Sequence, residues 1–400
     1  MRVKRMAPAT QNKENRITVA MLWPTYRDGP HTSVEEMAQH LDPNRFRLIT
    51  IFLKQKENYK SRHVVAGRTM YCLSDKKRLT AFSFPIARDL MKVLKEEGVD
   101  ILHCHRHKAC FYGALARRYV PRTVVLLHVH GIGRTKNAGR KMLNRFMFSQ
   151  ADRVIGCAES VRLDILRANP WAPESKIIAL RNSVEFERFA GVRMEQAEAR
   201  RTALPGVPAN AFLCGMVARF GPHKGHCHLI RALAQVRKSI PHVHLVLAGT
   251  GELEQAVRDQ VRGEKLSDCV HFLGYRRDVP RIMRALDLFI LPSVDSEGMP
   301  LVLLEAMASG TPCVATRLSG IPEVIDSDEV GRLVPVGDER ALAAAISDVA
   351  RMPAADIQRM AVRAQERIRD HFSHSVVVRE LAAIYEDAYG RAWGRHVGSM

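Results

Sequence analysis

Short β-branched or apolar runs alternate with stretches of helical period along nearly all of the 400 residues. This alternation limits the fold more than any other feature. A strand, a helix and a second strand in series close most readily as a parallel sheet with helices on its faces. The first half predicts strands at 17–23, 47–53, 101–103, 123–128, 153–157 and 176–180. Helical period falls between them at 33–40, 85–97, 109–118, 141–148 and 160–168. A single core rarely grows beyond about 250–300 residues, so a chain of this length implies two domains.

The pattern pauses at 195–211, where Ala, Arg, Pro and Gly show no clear apolar period, and then restarts. Strands are expected at 212–217, 244–248, 270–272, 288–291, 312–315 and 332–334. Helices are expected at 226–238, 253–263, 279–285, 301–308 and 341–350, with a purely helical end at 354–371 and 375–393. The organisation expected is a disordered basic leader (1–16), a first α/β domain (17–195), a linker (196–211), a second α/β domain (212–372) and a closing helix (373–400) that crosses back over the first. Open parallel sheets bind ligands beyond the carboxyl ends of their strands. Two such sheets facing each other place those ends across one cleft.

The net charge of +19 is one-sided: residues 1–200 carry 37 Lys+Arg and 19 Asp+Glu, residues 201–400 carry 24 and 23. Residues 101–150 hold ten basic side chains and no acidic one. A field of that kind suits an anionic partner, either a membrane surface or an acidic acceptor. Around Arg117, Arg118, Arg122, Arg140, Lys141 and Arg145, with Phe146 and Phe148 expected to be exposed, the pattern reads as a peripheral membrane face. A nucleic-acid-binding reading has no helix-turn-helix, aromatic RNA-binding pair or finger spacing behind it. The eight cysteines are scattered without a CxxC pair, which fits reduced thiols in a cytoplasmic protein better than a disulfide framework. No run approaches the roughly 20 apolar residues that span a bilayer, and 1–16 lack the apolar core of a secretory signal.

The densest chemistry lies in Leu291–Gly310. A strand ends at Leu291, a loop carries Glu297, and Pro300 sits where a first helical turn tolerates it. The free amides near Leu301 and Val302 then form an anion site fit for a phosphate. Carboxylates so close to a phosphate must accept hydrogen bonds from hydroxyls, which sugar and ribose supply. In Gly215–Gly225 a strand ends near Val217 and leaves Arg219 and Lys224 as two cations that can neutralise a diphosphate without a metal. GxxxxGK[ST] is absent, and Gly249-Thr-Gly251 lacks the third glycine of a dinucleotide fingerprint.

Arg219, Lys224 and the Glu297-x7-Glu305 spacing headed by Glu-Gly-Met-Pro resemble glycosyltransferase family 4. The resemblance continues through Gly310-Thr-Pro-Cys-Val-Ala-Thr, Gly320-Ile-Pro-Glu-Val and Gly331-Arg-Leu-Val-Pro. In the first half it runs more loosely through Asp100-Ile-Leu-His-Cys-His, His128-Val-His-Gly, Ala151-Asp-Arg-Val-Ile and Arg181-Asn-Ser-Val-Glu. It implies the GT-B fold, two Rossmann-like domains across a cleft, and retaining transfer of a hexose-type sugar from a nucleotide diphosphate sugar. The acceptor it implies is a saccharide or lipid-linked molecule of cell-envelope polysaccharide or glycolipid synthesis. By the resemblance Arg219 and Lys224 hold the diphosphate, Glu305 the ribose and Glu297 the transferred sugar, with Gly298, Met299, Pro300, Leu301 and Val302 as the cradle. His130 points toward the donor sugar, Tyr275 lies near the base, Gly249 borders the nucleotide, and the loop with Gly29, Pro30 and His31 faces the diphosphate and acceptor. Pro30 and the Asn182-Ser183 pair depart from the glycines usual in the family.

No cofactor and no metal are expected in this chemistry. Asp326-Ser-Asp328 has the spacing of a metal-binding pair but reads as a surface loop. His103, His105 and His107, placed on one strand face with His128 and His130 beside them, read as sugar-contacting residues at the cleft edge, with zinc binding as the alternative. A nucleotide-sugar epimerase of the same fold would use the same donor site without an acceptor.

Overall fold

A computed structural model describes residues 16–25, 33–54, 62–65, 68–74, 82–133, 138–295 and 297–394. The first sheet contains β1 (Ile17–Trp23), β2 (Phe46–Phe52), β3 (Arg62–Val65), β4 (Arg68–Cys72), β5 (Ile101–His105), β6 (Val124–Val129), β7 (Arg153–Gly156) and β8 (Ile177–Ala179). Its order is β3-β4-β2-β1-β5-β6-β7-β8, parallel except for β3 against β4. The second sheet contains β9 (Phe212–Val217), β10 (Val243–Ala248), β11 (Val270–Gly274), β12 (Leu288–Leu291), β13 (Cys313–Thr316) and β14 (Arg332–Val334), in the order β11-β10-β9-β12-β13-β14, all parallel.

β1, β5 and β12 are buried along their whole lengths. Helices cover both faces of a parallel sheet, so such strands tend to read as apolar runs, as β12 (Leu-Phe-Ile-Leu) does without a break, whereas β5 carries His103 and His105. β3, the edge strand, and β4 beside it escaped the sequence reading because they are only four and five residues long, too short to show a clear period. The segment expected as a linker forms a helix, Gln196–Ala203, that buries Ala199 and Ala203. Arg200 donates to the carbonyls of Ala285 (2.9 Å) and Ala211 (3.1 Å), which ties this helix to the second domain. Its buried face is made of alanines, so its apolar period is faint.

The last helix, His374–Trp393, returns to the first domain, where Val377, Leu381 and Tyr385 pack with Met21, Met37 and Phe46. The domains also meet through polar contacts. Glu323 accepts from the amides of Glu159 (2.9 Å) and Ser160 (2.8 Å), the first residues of the helix Glu159–Ala168. Asn182 donates through Nδ2 to the carbonyl of Met299 at 2.8 Å. In the second sheet the chain reverses its winding between β9 and β12, and the loops after these two strands border the resulting crevice.

Candidate active site

Arg219, exposed, follows β9 in the loop that leads to Lys224. That loop closes on the next through Gly225. Its φ of +74° belongs to the left-handed region, and a Cβ there would lie 1.9 Å from the carbonyl oxygen of Pro292. The contact brings Lys224 to Glu297, whose Oε1 receives Nζ at 2.5 Å and the Ser293 hydroxyl at 2.7 Å. Glu297 is buried, so its charge needs these donors.

The helix Leu301–Ala308 starts after Pro300, and Leu301 and Val302 in its first turn border the interdomain cavity. Gly298 lies against the first domain: a Cβ on it would stand 2.7 Å from Cys157 Sγ and 2.9 Å from the His130 carbonyl oxygen. Between the domains opens a cavity of about 940 Å³, whose second-domain wall includes Arg219, Gly249, Tyr275, Leu301, Val302 and Glu305. Glu36, Ser183 and Arg188 border it from the first domain. Tyr275, 69% exposed, stands at its rim.

Glu305 is the group most perturbed in this cleft. Burial, reinforced by Glu36, pushes its carboxyl up to about 7, against the opposing pull of Arg188. Arg188 also faces Glu36 at 3.8 Å. A carboxylate so held is ready to accept donors from a hydroxylated ligand.

The histidines are placed differently from the expectation. His103, His105 and His128 are fully buried and cannot touch a sugar in the cleft, because they point into the first domain's core. His107 is not on the strand at all; it lies in the helix Arg106–Arg117. His130, half-buried, follows β6, faces His105 (Nε2 to Nδ1, 3.1 Å) and stacks on His128 with centroids 4.4 Å apart. Gly29, Pro30 and His31 lie outside the described residues, as do residues 1–15 of the expected leader.

Phe148 is buried and Phe146 is half-buried against Phe111, contrary to the exposed pair expected. In an amphipathic helix the turn facing the core takes the aromatic rings. The exposed apolar side chain of the basic helix is instead Met142 (74%). Asp326 and Asp328 are exposed and paired with Arg367 (2.7 Å) and Arg332 (3.2 Å). All eight cysteines are free thiols.

Sequence reading missed Glu36, Arg188 and Glu323. None follows a strand of its own sheet closely enough for the strand-end rule to find it. Arg188 and Glu323 carry their meaning only through the opposite domain, although Glu323 falls within the Gly-Ile-Pro-Glu-Val motif.

Residues 27–188 match the family model described as Glycosyltransferase Family 4, and residues 211–352 match that of Glycosyl transferases group 1. The chain is 30% identical over 351 residues to the putative glycosyltransferase EpsD of Bacillus subtilis, covering 81% of this chain and 88% of EpsD. It is 30% identical over 258 residues to the UDP-Gal:alpha-D-GlcNAc-diphosphoundecaprenol alpha-1,3-galactosyltransferase of Escherichia coli, covering 62% of this chain and 66% of that enzyme. The chain spans between about half and two thirds of the length of several such curated relatives. Among solved structures, Anabaena Alr3699/HepE in complex with UDP and glucose superposes with a TM-score of 0.76 at 20% identity, over 92% of this chain and 99% of the other, which shows the fold. This fold, with these two family matches and the relationship to EpsD, identifies the chain as a member of glycosyltransferase family 4.

Proposed function

We propose that the chain transfers a hexose-type sugar from a nucleotide diphosphate sugar, with retention, to a saccharide or lipid-linked acceptor of cell-envelope polysaccharide or glycolipid synthesis. The observation that carries the reading is convergence: Arg219, Glu305 and the amino end of the helix Leu301–Ala308 border one interdomain cleft, with the Lys224–Glu297 pair on the adjoining loops. In this reading Arg219 and Lys224 hold the diphosphate, and the amides of Gly298 to Val302 complete its cradle. Glu305 accepts the ribose hydroxyls, Glu297 the hydroxyls of the transferred sugar, His130 flanks that sugar, and Tyr275 and Gly249 border the nucleotide. Gly29, Pro30 and His31 would close the diphosphate and acceptor side.

As the bond from the anomeric carbon to the phosphate oxygen breaks, negative charge grows on the leaving diphosphate. Fixed cations and a helix terminus stabilise that charge more than the ground state, which is the source of acceleration. The acceptor oxygen bonds the anomeric carbon on the same face, and its proton passes to the leaving phosphate. The side chains supply the positive charge, so the step is assigned no metal and no cofactor. Likeness to relatives named for a diphosphoundecaprenol acceptor and for colanic acid synthesis supports an envelope acceptor. The basic helix Ala138–Gln150 with exposed Met142 supports a peripheral seat on an anionic membrane face at the cytoplasmic side. No described helix is long and apolar enough to cross a membrane.

The test is incubation with UDP-, GDP- and ADP-hexoses and a panel of saccharide and polyprenyl-diphosphate-linked acceptors, read by mass spectrometry and anomeric NMR coupling. The expected product is an acceptor heavier by one hexose with the donor's anomeric configuration. An isomerised donor of unchanged mass would make the chain an epimerase, and an inverted product would remove the retaining mechanism.

A further inference from the structure

Behind the cleft, the carboxyl ends of β5 and β6 bring His103, His105 and His128 together in the core of the first domain. A strand repeats its side-chain direction every second residue, so His103 and His105 share one face of β5. His128 is the register partner of His105 on β6. One ring nitrogen from each of the three lies within 4.8 Å of the others, and all three residues are 0% exposed. Burying three imidazoles is costly unless each polar nitrogen has a partner. The Nε2 atoms of His105 and His128 have no hydrogen-bond partner among the described residues, and of the two it is the His105 atom that an ion held by His128 through Nδ1 would satisfy.

We propose that His103, His105 and His128 form a binding site for one divalent transition-metal ion of borderline softness, with Zn²⁺ as its type. Three neutral imidazoles and no carboxylate favour such an ion over magnesium or calcium, which prefer oxygen ligands. His103 Nε2 and His128 Nδ1 stand 3.2 Å apart. Two nitrogens bound to a tetrahedral ion at about 2.0–2.1 Å lie roughly 3.3 Å from each other, so this pair already has the spacing of one ligand edge. His105 supplies the third ligand through Nε2.

The surrounding contacts fix the tautomers that such ligation needs. The Tyr385 hydroxyl contacts His103 Nδ1 at 2.8 Å, and His130 Nε2 contacts His105 Nδ1 at 3.1 Å. A proton on each Nδ1 leaves the Nε2 lone pairs of His103 and His105 for the ion, as metal-bound histidines are commonly arranged. A cavity of about 50 Å³ bordered by Arg106, His107 and His130 reaches one of the three residues, His128. The site joins the returning C-terminal helix, through Tyr385, to His130 in the loop after β6. It stands apart from the sugar-transfer chemistry and does not depend on that reading.

Chelator-treated full-length chain titrated with ZnCl₂ in a calorimeter, followed by X-ray absorption on the zinc-loaded protein, tests the site. The expected result is one saturable equivalent and three imidazoles at about 2.0–2.1 Å. His105→Gln and His128→Gln should each weaken binding at least about a hundredfold, and Tyr385→Phe by about tenfold. His244→Gln, which breaks the other close imidazole pair (His244 to His271, 3.0 Å), should leave it unchanged. Absence of saturable binding, an absorption spectrum with fewer than three imidazoles, or loss in His244→Gln but not in His105→Gln overturns the proposal. The spectrum of the wild-type chain decides the matter even if the buried variants fail to fold.

Discussion

Glu305 offers a sharp test of the donor site, because the same carboxyl controls both binding and stability. In the free protein it titrates at about 7, raised mainly by burial and further by Glu36, with Arg188 opposing. In the function proposed here ribose hydroxyls donate to the ionised form, so below pH 7 a nucleotide sugar would have to displace a proton to bind. With the free group at about 7, affinity for a UDP- or GDP-sugar should be about tenfold weaker at pH 6 than at pH 8. The stability effect has the opposite sense. A folded pKa above the unfolded value means that the group's contribution is fully present below about 4.5 and is lost as pH rises through about 7. At about 1.4 kcal/mol per tenfold this reaches about 3 kcal/mol, and partial exposure of the side chain lowers it to the order of 1–3 kcal/mol. Glu305→Gln should therefore raise the stability of the free protein at pH 8 by that amount while flattening the pH dependence of donor affinity. Isothermal titration at pH 6 and 8, with urea denaturation of the free protein at pH 5 and 8, measures both. Equal wild-type affinity at the two pH values, or an unchanged slope in Glu305→Gln, would refute the reasoning.

Gly298→Ala forces the loop after β12 away from Cys157 and His130 and shifts the amides of the proposed diphosphate cradle, so donor affinity and transfer should both fall, transfer by up to about a hundredfold; titration calorimetry and kcat measure the two. Glu323→Gln removes a charged cap from the helix Glu159–Ala168 and should cost about 1 kcal/mol in denaturant unfolding. Changing Arg140, Lys141 and Arg145 to Glu should weaken co-sedimentation with anionic liposomes roughly a hundredfold at low salt, at about 1 kcal/mol per basic residue. Equal binding of the wild-type chain to neutral liposomes would end the membrane reading.

The fold was largely legible because parallel strands buried on both faces must be apolar throughout: Phe212–Val217 and Leu288–Leu291 carry the bounds expected of them. Short strands and an alanine-faced helix leave weaker marks, which hid β3, β4 and Gln196–Ala203. Arg219 and the Leu301 helix start could be singled out because each follows a strand end, and Glu305 because it lies within the helix that starts there; the structure places all three on one cavity. The pairing of Lys224 with Glu297 could not be found, since loop closure through Gly225 and Pro292 is invisible along the chain. The histidines mislead for a related reason. Alternation on β5 says that two share a face but not which face, and here that face is the core.

The central claim is that positive side chains and a helix start grip a pyrophosphate while nearby acids hold the hydroxyls attached to it. The direct measurement is equilibrium binding of UDP-, GDP- and ADP-sugars to the wild-type chain and to Arg219→Ala and Lys224→Met. The account predicts that one of these nucleotide sugars binds saturably and that each substitution weakens binding or transfer by a few kcal/mol, about a hundredfold or more. Saturable binding that both variants retain at full strength, with transfer unimpaired, would contradict it.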